Sequence, residues 1–171
     1  MNEIASINSG ETASAEIEAL PHSIEAEQQL LGAILTNNDI FDRVASVINS
    51  SHFYEPVHSR IYEIAAARNA KKNLASPVTL KAFLEDDPGL IELGGPAYLV
   101  RLAGSAISSF AAADYAQMIY DMAMRRELID LGNNIASKAK KADIKLEPKE
   151  QIVEAEQALY KLSEQGSAER G

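Results

Sequence analysis

Residues 112–141, AADYAQMIYDMAMRRELIDLGNNIASKAKK, decide the architecture. Thirty residues pass with no Pro and one Gly, Gly132, and strong helix formers dominate them. Two apolar rows run along this stretch. One passes through Tyr115, Met118, Met122, Ile129 and Ala136; the other passes through Tyr120, Met124, Leu128, Leu131 and Ile135. A helix apolar on two faces has more surface to bury than one neighbour covers. Lys138, Lys140 and Lys141 gather at its end, where the helix dipole favours cations.

After it, residues 143–148 read as a short loop, with Pro148 suited to a first helical position. A second helix follows, carrying Ile152, Ala155, Leu159 and Leu162, with Val153 and Tyr160 alongside. Residues 110–165 are therefore predicted to form a long antiparallel helical hairpin, and residues 166–171 a flexible end.

Before the hairpin, residues 21–109 read as a globular subdomain of short helices. Ser23 is a good N-cap; Glu25 and Glu27 sit in the first turn, where the dipole favours carboxylates. Leu30, Leu31, Ile34 and Leu35 make a buried stripe, and Asn37-Asn38 ends that helix. A second helix is expected from Asp39 through Ile48, a third from Val57 to Ala70, and a short fourth after Ser76-Pro77. Asp86-Asp87-Pro88-Gly89 and Gly94-Gly95-Pro96 read as breaks, with one more helix between Pro96 and Ala103. The fold class is all-α, a compact bundle of short helices followed by the hairpin. Residues 1–20 are rich in Ser, Asn, Ala and Glu and read as a disordered acidic tail.

Composition narrows the function classes. The chain has no Cys, which removes disulfide frameworks, thiolate metal sites and cysteine nucleophiles. No apolar run approaches the roughly 20 residues that span a bilayer, and no signal peptide opens the chain, so a cytoplasmic location is expected. The formal net charge is −9; Glu3, Glu11, Glu16 and Glu18 account for part of it, and the rest of the chain stays near −5. Phosphate binding depends on clustered Lys and Arg, so this surface is poorly suited to holding nucleic acid alone.

Chemistry-bearing motifs are missing. No Gly-x-x-x-x-Gly-Lys-Ser/Thr cradle for nucleotide phosphates occurs, and no Gly-x-Ser-x-Gly or Ser-x-x-Lys nucleophile. His22, His52 and His58 lack metal-ligand spacing, and His58 reads as a packed or solvent-facing ring. Arg125-Arg126 reads as surface ion pairing with nearby acids. Tyr98, Tyr115 and Tyr120 are not interleaved with a basic stripe and offer no stacking platform for single strands. The chain offers no catalytic candidate.

One series of motifs points further. Pro21-His22-Ser23-Ile24-Glu25-Ala26-Glu27-Gln28-Gln29-Leu30-Leu31-Gly32 is followed by Phe53-Tyr54 before His58, then by Pro77-Val78-Thr79-Leu80. Leu93-Gly94-Gly95-Pro96-Ala97-Tyr98-Leu99, Tyr115-Ala116, Arg125-Arg126-Glu127-Leu128-Ile129 and Glu154-Ala155-Glu156 complete the order. In this order over residues 21–165 the chain resembles the N-terminal domain of DnaB-type replicative DNA helicases. The resemblance implies a non-catalytic helical domain whose hairpins pair between subunits, giving a trimer-of-dimers collar on a hexamer. It implies docking of the primase C-terminal domain and contact with a loader or initiator. ATP and its Mg ion belong, on this reading, to a RecA-like domain beyond a linker helix, neither of them within these residues; no cofactor or metal is expected here. DNA would be met only through the full hexamer.

The expected interface residues are Tyr115, Met118, Met122 and Ile129 between subunits. Tyr98, Leu128 and Ile135 are expected at primase docking or in internal packing. Monomer core is an equally open role for all seven. A free-standing helical adaptor without a motor is the alternative reading, and a weak DNA contact at Arg125, Arg126 or Lys138–Lys141 a third.

Overall fold

The computed structural model describes residues 20–105, 108–141 and 144–168, so the expected acidic tail lies, up to residue 19, outside the described residues. Among the described residues every regular element is helical. Helix α1, Ile24–Thr36, starts where Ser23 accepts a hydrogen bond from the Ala26 N–H at 3.2 Å. It is the axis of the bundle: Leu30 and Leu31 are fully buried, and Ala26, Glu27, Gly32, Ala33, Ile34 and Leu35 are buried with them.

The second expected helix is shorter than its apolar residues suggest. A 3-10 turn at Asn38–Ile40 leads into α2, Phe41–Ala45; Val47 follows in a turn and Ile48 in irregular backbone. Their side chains pack inward without helical backbone, because burial of a few residues does not require a particular dihedral path. Asn38 ties this corner together. Its amide nitrogen donates to the carbonyls of Ile34 and Ala75, and its oxygen accepts from the Ala75 N–H at 2.9 Å.

A second 3-10 turn, Ser50–His52, precedes α3, Pro56–Ala70. Helix α4, Pro77–Leu84, begins with a reciprocal box in which Ser76 and Thr79 each accept the other's backbone N–H. The break expected around Pro88 is instead a short helix, α5, Pro88–Glu92. Asp87 caps it by accepting from Leu90 N–H, and Pro88 occupies the first helical turn. Gly94 and Gly95 do form the expected turn, at φ +110° and +70°, where an L side chain is strained. Helix α6, Pro96–Gly104, follows and packs along α1.

Past a 3-10 turn at Ser109–Ala111 comes α7, Ala112–Lys141, about 45 Å long at 1.5 Å per residue. Helix α8, Pro148–Ala168, folds back against it and continues through Gly166, past the expected end at residue 165. Only the first part of α7 joins the core. Its buried residues are Ala112, Ala116, Ile119, Tyr120 and Ala123, and they lie against α1 and α2. Three alanines in that stripe let the long helix approach α1 closely. Neither apolar row read from the sequence is this stripe; it runs between them, and of their members it takes only Tyr120.

Candidate docking surface

The hairpin leaves the globular part at a built joint. Arg126 is half-buried on α7 and its guanidinium donates to the Pro21 carbonyl at 2.7 Å and to the His52 carbonyl at 2.9 Å. The guanidinium carbon lies 5.4 Å from the centre of the Tyr54 ring, on which His22 also stacks at 4.1 Å. The surface ion pair expected for Arg126 is replaced by a clasp on two backbone carbonyls, because the chain before α1 and the 52–55 connector both pass beneath it. His52 packs its ring edge-on against Tyr120, and its Nδ1 accepts the Asn49 N–H at 3.0 Å. Burial, and secondarily the Arg126 charge, hold the His52 pKa below its ordinary value.

Beneath the joint lies a buried polar cluster. Glu27, a first-turn carboxylate by sequence, is 2% exposed and accepts from the Tyr54 N–H at 2.9 Å and the Glu55 N–H at 3.3 Å. The fully buried His58 lies with Nδ1 2.9 Å from the Glu27 carboxylate and Nε2 2.6 Å from the Tyr98 hydroxyl. Gln28 donates to the same hydroxyl. The buried carboxylate is thus satisfied from three sides, as a group taken out of water must be. Its effect is to fix the connector on which Arg126 closes.

Beyond Ala123 no residue of α7 is buried, and none is among residues 148–165 of α8. Met118, Leu128 and Ile129 are 44%, 52% and 39% exposed, while Met122 is half-buried. On α8, Ile152, Val153, Leu159 and Tyr160 are all about half exposed or more. Ile135 and Leu131 are half-buried in a cleft of about 100 Å³ between the two helices, closed in part by Ala155. Gln151 donates to the Ile135 carbonyl at 2.8 Å, and Lys138 pairs with Glu154 at 3.3 Å, pinning the arm together.

The seven expected interface residues therefore separate. Met118, Leu128 and Ile129 present apolar surface; Met122 and Ile135 present part of theirs. Tyr115 is partly buried and packs against the core, and Tyr98 is 5% exposed with its hydroxyl engaged by His58 and Gln28. The Tyr98 ring stacks on His58 of α3 with centroids 6.0 Å apart. The residues that sequence reasoning missed are Arg126, Glu27 and His58 at the joint. No local signal marks them, because their partners lie 27 to 105 residues away. Among the described residues no group of acids and histidines could hold a metal ion, and no helix is long and apolar enough to cross a membrane.

Residues 19–121 match the family described as the DnaB-like helicase N terminal domain. Over 169 residues the chain is 36% identical to the replicative DNA helicase DnaB of Rickettsia bellii, covering 99% of this chain and 34% of that protein. It is 31% identical to the Haemophilus influenzae protein of the same name, over 92% of this chain and 34% of the relative. The chain thus spans about a third of the length of these curated relatives. Among solved structures, the N-terminal domain of DnaB helicase from Mycobacterium tuberculosis superposes with a TM-score of 0.72 at 25% identity, covering 83% of this chain and 99% of that one. A Helicobacter pylori structure, described as the DnaB N-terminal domain and its interactions with primase, has the same fold. Its TM-score is 0.59 at 23% identity, over 68% of this chain and 90% of its own.

Proposed function

The chain belongs to the DnaB-like helicase N-terminal domain family, and from this we propose that it is the assembly and docking module of a replicative helicase. In this role it carries out no chemistry. The motor activity, with ATP and Mg, would reside in the remaining two-thirds of such a protein, and the helical arm would pair with the arm of a second copy. The domain would receive primase, with which the Helicobacter pylori DnaB N-terminal domain is described as interacting. A helicase loader or initiator is a further partner on this reading.

The observation that carries the proposal is the bare arm. Helices α7 and α8 are clasped to each other by Gln151 and Lys138, yet residues 148–165 of α8 bury no side chain fully and Leu128, Ile129, Ile152, Val153 and Leu159 keep apolar surface in water. Exposed apolar residues spread along one arm mark an interaction surface more than a free one. At roughly 25 cal/mol per Å² of apolar area removed from water, pairing two such arms has a sizeable driving force.

The test is absolute mass by light scattering during size exclusion, with and without the primase C-terminal domain from the same bacterium. A free chain of dimeric or larger mass, and a defined complex with primase, are expected. A chain that stays monomeric at tens of micromolar and leaves primase unbound overturns the reading for these residues.

A further inference from the structure

The chain has neither Cys nor Trp, so a mild two-electron oxidant meets sulfur only in methionine. Three of its four methionines, Met118, Met122 and Met124, lie within about two turns of α7. Their places on that helix differ. Met118 and Met122 are four residues apart and share one face, and Ile129, seven residues beyond Met122, continues it. Met124 comes two residues after Met122, about 160° round the helix, and so lies on another face. Burial follows this phase. Met118 and Ile129 are exposed and Met122 is half-buried, whereas Met124 packs against the core.

A thioether on the open face is within reach of a hydroperoxide. Its sulfur lone pair attacks one oxygen of hydrogen peroxide and the O–O bond breaks. That oxygen stays on sulfur as the sulfoxide, and the other leaves with both protons as water. The sulfur is oxidised by two electrons and the peroxide is reduced by two. A flexible apolar side chain thereby becomes a polar hydrogen-bond acceptor. Ile129 on the same face offers no donor, so a sulfoxide pressed between two arms loses its water without replacement.

We propose that Met118 and Met122 form an oxidation site that competes with pairing of the arms: pairing shields the two sulfurs, and their sulfoxides block pairing. The inference rests on the arm-to-arm pairing proposed above. The unpaired copy is the one that is oxidised, and it stays unpaired until a sulfoxide reductase restores the thioethers. Met118, the more exposed, reacts ahead of Met122, and Met124 is protected by the core.

The test treats the full chain with hydrogen peroxide, reading sulfoxide at each methionine by peptide mass mapping and absolute mass by light scattering. Sulfoxide at Met118 and Met122 should form about fivefold more slowly, or slower still, where the reduced chain is paired than where dilution leaves it monomeric. After oxidation the dissociation constant of the pair should rise about tenfold or more, with the helical circular dichroism unchanged. Met118→Leu together with Met122→Leu should abolish the response to peroxide, and Met124→Leu should retain it. A reduced chain that is monomeric at every concentration removes the arm pairing, and this inference with it. A chain that pairs but oxidises equally fast at both concentrations, or keeps its mass once oxidised, overturns this inference alone. Loss of helical signal on oxidation, or a response that survives the double substitution, overturns the assignment to Met118 and Met122.

Discussion

Arg126 and Pro21 stand 105 residues apart in the chain and are joined by a 2.7 Å hydrogen bond, and the same guanidinium holds His52. A single side chain thus closes the start of the bundle, the connector before α3 and the root of the arm on one another. Arg125, next to it, faces solvent.

That difference predicts unequal mutants. Arg126→Met should lower unfolding stability by about 2 kcal/mol, the size expected for hydrogen bonds from a charged donor. Arg125→Met should change it by less than about 0.5 kcal/mol. Urea titrations followed by circular dichroism compare the two, and equal losses would remove the clasp from the account.

Glu27 gives a second contrast with a neighbour. Glu27→Gln leaves the Tyr54 and Glu55 N–H groups and His58 competing for one amide oxygen, and should cost about 3 kcal/mol, in the range for breaking a buried charged network. Glu25→Gln, at a solvent-facing first-turn position, should stay within about 0.5 kcal/mol, as surface substitutions do. Thermal unfolding of the pair checks it.

Acid sensitivity follows from His52. Its pKa is depressed in the fold, so below about pH 6.5 the unfolded chain takes up a proton that the folded chain resists. The stability associated with a neutral His52 is full above that pH and is lost as pH falls toward the depressed value. His52→Gln should flatten the melting temperature between pH 7 and pH 5.5; an unchanged slope would place the titration elsewhere.

The opposite end of the scale belongs to Tyr62. Burial pushes its hydroxyl up to about 12, and the hydroxyl donates to the Ile48 carbonyl at 3.0 Å. The raised value means full stability below about pH 10 and progressive loss as pH rises toward 12. Tyr62→Phe should cost about 1 kcal/mol at neutral pH and reduce the alkaline loss, read from melting temperatures at pH 8 and 11.

On the arm, Ile129→Asp should leave the melting temperature within about 3 °C, because its side chain is 39% exposed. It should also shift the light-scattering mass toward the monomer. Loss of helical signal at ordinary temperature would make Ile129 a core residue and remove it from the proposed pairing surface.

Much of the fold is local in origin and was legible in residue order. Ser23, Ser76 and Pro148 stand where helices begin, and the run from Ala112 to Lys141 is one helix because it holds no Pro and its single glycine, Gly132, is outweighed by strong helix formers. The misreadings are at Pro88 and at Val47-Ile48. Asp87-Pro88 suits a turn and a helix start equally, and apolar spacing over a few residues does not distinguish helix from packed loop.

Residue order by itself determined an all-helical chain, and its motifs carried the family. Which face of the long helix meets the core, and that Arg126, Glu27, His58 and Tyr98 form its footing, only the tertiary structure decided. Caps and periodicity act over three or four residues and can be read along a chain. Burial of a charge, or a clasp between residues 21 and 126, depends on the position of every helix between them.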